Sequence, residues 1–231
     1  MKPTPEKNPQ PCRAFRLGVA DYEETLRLQN RLVEARRKEE TGNILLLLQH
    51  PPVVTLGKSG KVQNVLDPRS LRERNIKTIY TDRGGDVTYH GPGQLVIYPI
   101  LNLRSARLSI PDYVWNLEET AIRLLAHYGI SAGRIEKLRG VWVGNEKIAA
   151  LGVHISGGVS KHGLALNVNT DLEFFNLINP CGTGRRTTSM SKILGGEISL
   201  EEIETAVLRF FGEVFGFALK FEPAQNLELY R

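Results

Sequence analysis

Residues 83–99 have the sequence RGGDVTYHGPGQLVIYP. Four glycines and one proline lie within residues 83–93, and the apolar run 95–98 follows at once. Glycine reaches backbone conformations that other residues avoid, and it lets another chain or a ligand come close. The pattern therefore predicts a loop that wraps a ligand and leads into a core strand. The polar side chains available for binding are those of Arg83, Asp86, Thr88, Tyr89, His90 and Gln94.

Composition places the chain among globular proteins. Of its 231 residues, 41% are hydrophobic and 24% are charged, values that are ordinary for a folded domain. The longest apolar run, 44–48, is far shorter than the roughly 20 residues of a membrane span, so no membrane partner is expected. Residues 1–11 contain four prolines and no apolar stretch. We therefore expect a flexible tail over residues 1–12, one folded domain over 13–231, no export signal and a cytoplasmic location.

Charge and cysteine content limit the partners and the compartment. The two cysteines are Cys12 and Cys181, and because Cys12 adjoins the expected tail, we predict no structural disulfide and a reducing compartment. The net charge of +5 favours an acidic partner, either nucleic acid or an acidic carrier protein. No basic tract alternates with aromatic residues and no zinc-finger spacing occurs, which disfavours nucleic acid. No metal-ligand spacing is present either.

Hydrophobic periodicity predicts a single α+β domain, because strands dominate the middle of the chain and the helices do not alternate strictly with them. Two capping boxes, at Asp21 with Glu24 and at Ser199 with Glu202, predict helix starts. Gly144-Asn145 predicts a hairpin turn, and 169–191 reads as a long loop with short helical pieces. The other expected helices are near 68–74 and 111–128, and the expected strands are 14–17, 44–49, 53–56, 77–81, 95–101, 141–143, 147–154, 163–168 and 218–221.

Cys181 is the residue type most able to carry covalent chemistry. It lies between Pro180 and Gly182 in a loop, whereas an inert cysteine is usually packed inside a strand or helix. A thiol reacts as its thiolate and needs a neighbouring base or cation. Residue pattern alone leaves the helper open among Lys147, which precedes the apolar stretch 148–152, and the loop-proximal histidines. Those histidines are His90, His154 and His162.

The stretch 83–99 resembles the signature of the octanoyl (lipoyl) transferases, which move an octanoyl group from acyl carrier protein to lipoyl domains. Three further stretches resemble that family: K-I-A-A-x-G at 147–152, H-G-x-A-x-N-V at 162–168 and N-P-C-G at 179–182. The similarity covers about residues 44–191. It implies the fold of the biotin and lipoate protein ligases, a mixed β-sheet packed by helices. It also implies that Cys181 carries the acyl group as a thioester and that Lys147 acts as its base or lowers the pKa of its thiol.

The same resemblance implies the ligands. The donor is octanoyl-acyl carrier protein, and the acceptors are the lipoyl domains of 2-oxoacid dehydrogenase complexes and the H protein of glycine cleavage. The transfer needs no cofactor and no metal. The acyl chain is expected to contact three stretches, whose residues are Arg83, Gly84, Gly85, Asp86, Val87, Thr88, Tyr89 and His90, then Ala150, Leu151 and Gly152, and then Gly163, Leu164 and Ala165.

Three other functions compete with this one. An ATP-dependent lipoate or biotin protein ligase has the same fold, but it uses a lysine without a cysteine nucleophile, so the N-P-C-G stretch argues against it. A basic module that binds nucleic acid without catalysis predicts steeply salt-dependent binding and no role for Cys181. A structural protein with a merely packed Cys181 is the third alternative.

Overall fold

The structure, a computed structural model, describes residues 9–179 and 186–230. Eight strands form one sheet in the order β11-β1-β2-β6-β10-β9-β8-β7, and three form a second sheet in the order β4-β3-β5. The strands are β1 Gln10–Val19, β2 Asn43–Gln49, β3 Val53–Leu56, β4 Lys77–Tyr80, β5 Val87–His90, β6 Gln94–Ile100, β7 Gly133–Ile135, β8 Leu138–Val143, β9 Glu146–Ser156, β10 Val159–Asn167 and β11 Phe217–Phe221. The helices are α1 Tyr22–Arg37, α2 Pro68–Glu73, α3 Ile110–His127, α4 Met190–Leu194 and α5 Leu200–Phe215, with 3-10 helices at Val62–Asn64, Leu172–Leu177 and Ala224–Tyr230.

Helices cover both faces of the large sheet. Alternate residues of β2 pack on opposite sides, with Leu45 and Leu47 in the core beneath α3 and α5, and Leu46 and Leu48 in the core beneath α1. Burial on both faces explains why the sequence of β2 is apolar without alternation. The large sheet is mixed, because β1 pairs in parallel with β2 and β11, whereas β6, β9 and β10 pair antiparallel. The predicted α+β class is confirmed.

Local signals placed the helix starts correctly. The Asp21 side chain accepts hydrogen bonds from the backbone N–H groups of Glu23 and Glu24 at the start of α1. The Ser199 side chain accepts one from Glu202 at the start of α5. Each cap satisfies backbone donors that the first turn of a helix leaves open, so these two helices begin where the capping boxes predict.

Several expectations need correction. The expected tail over 1–12 extends too far, because Gln10 to Cys12 belong to β1, where Cys12 is paired with Asn43 and Leu219. Residues 87–90, which we assigned to the glycine-rich loop, form β5 and pair with β3. Strand β7, the separate small sheet and the C-terminal 3-10 helix were not predicted. Each depends on pairing or packing between distant segments, which local sequence does not encode.

The small sheet and the large sheet are joined through Gly91-Pro92-Gly93, the connection from β5 to β6. Gly93 has φ +79°, and a Cβ there would lie 2.5 Å from the backbone oxygen of Asn169. Its own backbone oxygen accepts the N–H of Asn169 at 2.8 Å. Glycine is required at this position because both the positive φ and the close backbone approach exclude a side chain. This junction fixes the small sheet against the mouth of the site described next.

Candidate active site

One cavity lies between the loop at residues 83–86 and strands β9 and β10. The space between these elements is about 860 Å³ including its open mouth, and most of its lining is apolar. Two predicted stretches face each other across the β9–β10 ladder, where Gly163 pairs with Gly152 and Leu164 pairs with Leu151. The cavity is lined by Arg83, Gly85, Asp86, Val87, Thr88, His90, Val96, Tyr98, Trp142, Lys147, Ala150, Leu151, Gly152, His162, Gly163, Leu164, Ala165, Asn167, Phe175 and Thr187.

The loop at 83–86 is held on both sides. The Arg83 guanidinium donates to the Thr55 backbone oxygen at 2.7 Å and to the Asp86 backbone oxygen at 2.8 Å, and Thr55 lies in β3. On the other side, the Gly84 N–H donates to the Val153 oxygen of β9 at 2.9 Å. Gly152 permits this approach, because a Cβ there would lie 2.7 Å from the Gly84 oxygen. Arg83 thus serves the site by shaping the loop.

Asp86 binds the backbone that follows β3. Its Oδ1 accepts the Lys61 N–H at 3.0 Å, and its Oδ2 accepts a hydrogen bond from the Asn64 amide. Only 9% of Asp86 is exposed to solvent. Its carboxylate therefore needs these hydrogen-bond donors to replace the water molecules that it loses on burial. The residue lines the cavity, and its two carboxylate oxygens are used in holding the loop.

Two residues that we expected in the binding site lie outside the lining. Tyr89 alternates with Thr88 and His90 along β5, so its ring points to the opposite side and stacks on Phe174 at 4.9 Å between centroids. Gly84 contacts β9 through its backbone. Their part in the site is to support the strand and loop that carry the lining residues.

Lys147 lies at the start of β9, opposite Trp142 of β8. Its ammonium nitrogen is 4.8 Å from the centroid of the Trp142 ring, within the range of a cation–π contact. The backbone of Lys147 makes two hydrogen bonds to the segment that follows residue 185. Its N–H donates to the Arg186 oxygen and its oxygen accepts the Thr188 N–H, both at 2.9 Å. The backbone of Lys147 is thus fixed, and the residue lines the cavity.

Cys181, the expected nucleophile, lies outside the described residues. The described residues on either side of 180–185 make defined contacts. Asn179 donates its N–H to the Asn64 oxygen at 2.7 Å, and Arg186 accepts the Lys147 N–H. The other cysteine, Cys12, is buried in β1 at 2% exposure, and burial raises the pKa of its thiol to about 12, which keeps it protonated and unreactive.

A polar network forms the wall of the cavity beside the apolar strands, and residue pattern did not predict it. His90 Nδ1 donates to the Gln94 side-chain oxygen at 2.7 Å, and the Gln94 amide donates to Asn167 at 3.0 Å. The Asn167 amide in turn donates to the Thr188 oxygen at 3.0 Å. The chain of bonds therefore runs from His90 to the segment paired with Lys147. Burial lowers the pKa of His90, so this ring is neutral at pH 7.

Tyr98 also lines the cavity, and its hydroxyl contacts the buried His50. The Tyr98 hydroxyl is 2.9 Å from His50 Nε2, and His50 Nδ1 is 2.7 Å from the Ala20 backbone oxygen. Since a carbonyl only accepts, Nδ1 carries the hydrogen and Nε2 accepts the hydroxyl proton of Tyr98. His50 directly follows β2 and is fully buried. Burial lowers its pKa to about 4.

The Asp82 carboxylate contacts three basic side chains at the edge of the cavity. His162 Nε2 donates to its carboxylate at 2.8 Å, Lys161 Nζ is 2.7 Å away, and His154 Nδ1 is 3.3 Å away. The hydrogen bond from His162, followed by that from Lys161, holds the pKa of the Asp82 carboxyl well below its usual range. Of the three histidines considered as helpers for a thiol, His90 and His162 line the cavity and His154 does not.

The described ranges 9–179 and 186–230 contain neither a membrane-spanning helix nor a cluster of metal-ligand side chains. No helix in them is long and apolar enough to cross a membrane. No group of three or more histidine, cysteine, aspartate or glutamate side chains in them is arranged to hold a metal ion.

The chain is similar to a known protein family and to several of its members. The model of the lipoyl protein ligase A/B catalytic domain matches residues 21–212. An octanoyltransferase of Solibacter usitatus is 48% identical over 209 residues, covering 90% of this chain and 94% of the relative. An octanoyltransferase of Caldicellulosiruptor saccharolyticus is 46% identical over 216 residues, covering 92% of each chain.

A solved structure supports the fold. A putative lipoate protein ligase from T. acidophilum superimposes with a TM-score of 0.75 at 18% identity, covering 96% of this chain and 92% of the other. The predicted ligase-like fold is confirmed by that superposition. The family match and the two close relatives together show that this chain belongs to the octanoyltransferases of the lipoyl protein ligase A/B catalytic-domain family.

Proposed function

We propose that the protein transfers an octanoyl group from acyl carrier protein to a lysine of a lipoyl domain, with Cys181 carrying the group as a thioester between the two. The observation that carries this proposal is the apolar cavity, which is lined by Lys147 and by Ala150, Leu151, Leu164 and Ala165. Burying an acyl chain there is favourable by roughly 0.8 kcal/mol for each methylene. The relatives named octanoyltransferase point to the same eight-carbon group.

The reaction divides into two exchanges at one carbonyl carbon. The Cys181 thiolate attacks the thioester carbonyl, a new carbon–sulfur bond forms, and the bond to the carrier sulfur breaks so that the carrier leaves as a thiol. A lysine amine of the acceptor then attacks the acyl-enzyme, an amide bond forms, and Cys181 is released. Splitting one transfer into two easier steps is the advantage of a covalent nucleophile.

We propose that Lys147 activates the Cys181 thiol, either as the base that removes its proton or as the cation that stabilises the thiolate. Two contacts support this role. Arg186, which follows Cys181 by five residues, is hydrogen-bonded to Lys147 through the backbone. The Trp142 ring, which also lines the cavity, lies 4.8 Å from the amine and restrains the side chain through a cation–π contact.

The proposed partners follow from the reaction. The proposed donor is octanoyl-acyl carrier protein, and the proposed acceptors are lipoyl domains of 2-oxoacid dehydrogenase complexes and the glycine cleavage H protein. A cytoplasmic site of action stays a prediction from the sequence.

Intact-mass measurement after incubation with octanoyl-carrier protein tests the proposal. The wild-type enzyme is expected to gain one octanoyl group and to lose it when a lipoyl domain is added. Cys181→Ala is expected to gain none. Lys147→Ala is expected to acylate on the order of 100-fold or more slowly, because a positioned proton acceptor or cation contributes about that much.

Cys12→Ala is the matched control, since Cys12 is buried away from the cavity, and it is expected to acylate like the wild type. Acylation that persists in Cys181→Ala would contradict the covalent role. Transfer from free octanoate and ATP, without transfer from octanoyl-carrier protein, would identify a ligase instead.

A further inference from the structure

One basic segment of this protein lies beside the candidate active site. Residues 58–77 contain six lysines and arginines and two acidic residues, a net charge of +4. Leu71 of α2 is buried in the core of the small sheet, so the basic residues around it face outward. We call the exposed set Lys58, Lys61, Arg69, Arg72, Arg74 and Lys77 the basic patch.

Part of the basic patch borders the mouth of the cavity. The Lys58 N–H donates to the Arg83 oxygen at 2.9 Å, and the Ser59 N–H donates to the Gly85 oxygen at 3.1 Å. The Lys61 N–H donates to Asp86. Arg83, Gly85 and Asp86 all line the cavity. The backbone that carries Lys58 and Lys61 is therefore bonded directly to the loop that the acyl chain passes.

Three of the six cations remain available for an external partner. Arg69 pairs with Glu73 at 2.8 Å, Lys77 pairs with Glu23 at 3.6 Å, and the Arg74 guanidinium lies over the Phe174 ring. By contrast, Lys58, Lys61 and Arg72 have no ion-pair partner within residues 9–179 and 186–230. Their charges are exposed to solvent, and those of Lys58 and Lys61 belong to the segment bonded to the loop at the mouth, where they act on whatever approaches.

Two exposed apolar side chains lie in the same segment of the chain. Val62 is 61% exposed and Leu66 is 56% exposed, and the Leu66 N–H is fixed by the Leu177 oxygen at 2.9 Å. Specific protein interfaces combine an apolar centre with a charged rim. Apolar side chains among unpaired cations fit an acidic protein surface that has apolar residues of its own.

We propose that the surface formed by Lys58, Lys61, Arg72, Val62 and Leu66 docks the acidic face of the donor carrier protein. This proposal rests on the proposed function. The donor is the occupant favoured by the geometry, because its acyl chain must enter the cavity beside the loop at 83–86, to which this surface is bonded. The acceptor brings only an amine to the acyl-enzyme and has no chain to insert.

The test compares donors with and without the carrier protein. In the double variant Lys58→Glu/Lys61→Glu, the KM for octanoyl-carrier protein is expected to rise on the order of tenfold, because like charges at a docking rim slow association. The rate with octanoyl-pantetheine, a thioester without the protein, is expected to stay unchanged, as is the KM for the lipoyl domain. Adding Arg72→Glu is expected to raise the carrier KM further. Val62→Ser/Leu66→Ser is expected to raise it without changing charge.

Lys38→Glu/Lys220→Glu is the matched control, because it makes the same change in charge at exposed positions outside the cavity, and its carrier KM is expected to match the wild type. An unchanged carrier KM in Lys58→Glu/Lys61→Glu overturns the proposal, and so does a rise in the KM for the lipoyl domain alone. Weakened binding to duplex DNA without a change in carrier KM also overturns it. If the wild type takes octanoyl from neither octanoyl-carrier protein nor octanoyl-pantetheine, the proposed function fails, whereas a result confined to the carrier KM concerns the docking surface alone.

Discussion

His50 shows how one buried side chain makes stability depend on pH. Its folded pKa is about 4 because of burial, against about 6.5 in an unfolded chain. Between these two pKa values the unfolded state binds a proton at His50 and the folded state does not. The free energy of unfolding is therefore highest above about pH 7 and falls as the pH drops through 6.5 towards 4. Between pH 7 and pH 5, we expect His50 to cost the folded state about 2 kcal/mol.

Urea unfolding of the wild type and of His50→Gln at pH 7 and pH 5 measures this contribution. Glutamine can donate to the Ala20 oxygen and accept from the Tyr98 hydroxyl, but it does not titrate. The free energy of unfolding should fall less in the variant than in the wild type. Burial also lowers the pKa of His90 and His162, so part of the slope will remain. Equal slopes in the two proteins would rule out His50 as a source.

Strand β9 depends on glycine where the loop at 83–86 crosses it. Because a Cβ on residue 152 would lie 2.7 Å from the Gly84 backbone oxygen, Gly152→Ala must push the loop away from β9 and open the cavity. We expect octanoyl transfer to fall by at least about tenfold, since an ångström-scale displacement in a site costs that much or more. Steady-state assays with octanoyl-carrier protein measure the change.

Gly133→Ala supplies the comparison within the same sheet. Gly133 lies in β7, and a Cβ there meets no atom within 4 Å. Its activity and melting temperature should match the wild type. If Gly152→Ala transferred octanoyl at the normal rate, the close approach of loop and strand would not matter for the site.

At the scale of the whole molecule, Arg83 ties the small sheet to the large one. Its guanidinium bonds to Thr55 of the small sheet, while its neighbour Gly84 bonds to β9 of the large sheet. Lysine cannot reproduce this planar set of donors. We expect Arg83→Lys to lower the free energy of unfolding by about 2 kcal/mol, and to reduce hydrogen-exchange protection in β3 and β5 more than in β2 and β6.

The exposed Arg72→Lys serves as control and should leave both measurements unchanged. A uniform loss of protection across the two sheets in Arg83→Lys would mean that Arg83 stabilises the fold without coupling the sheets.

The sequence predicted what neighbouring residues determine. Asp21 and Ser199 mark helix starts because a capping side chain bonds backbone two or three residues ahead, and the continuous apolar run of β2 signals burial on both faces. The pairing of Trp142 with Lys147 could also have been predicted from the sequence, since a two-residue hairpin turn at Gly144-Asn145 places these two residues opposite each other.

Other features could not be predicted from the sequence, because they depend on contacts between distant segments. Strand β5 has only four residues, and its partner β3 lies more than 30 residues earlier. The contact of His50 with Tyr98 exists only because β2 and β6 pair, and the bond from Gln94 to Asn167 requires the β6–β10 register. Such contacts depend on which distant strands become neighbours, and that choice is made by the whole chain.

The pairing of β1 with β11 has a consequence for biosynthesis. Nearly 200 residues separate Val19, the last residue of β1, from Phe217, the first of β11, so at 5–20 residues per second the ribosome takes roughly 10–40 s to supply the missing neighbour. During that interval one side of the nascent β1 presents open backbone groups that other extended chains can bind. Chaperone capture of the growing polypeptide is therefore most needed before the last strand has emerged.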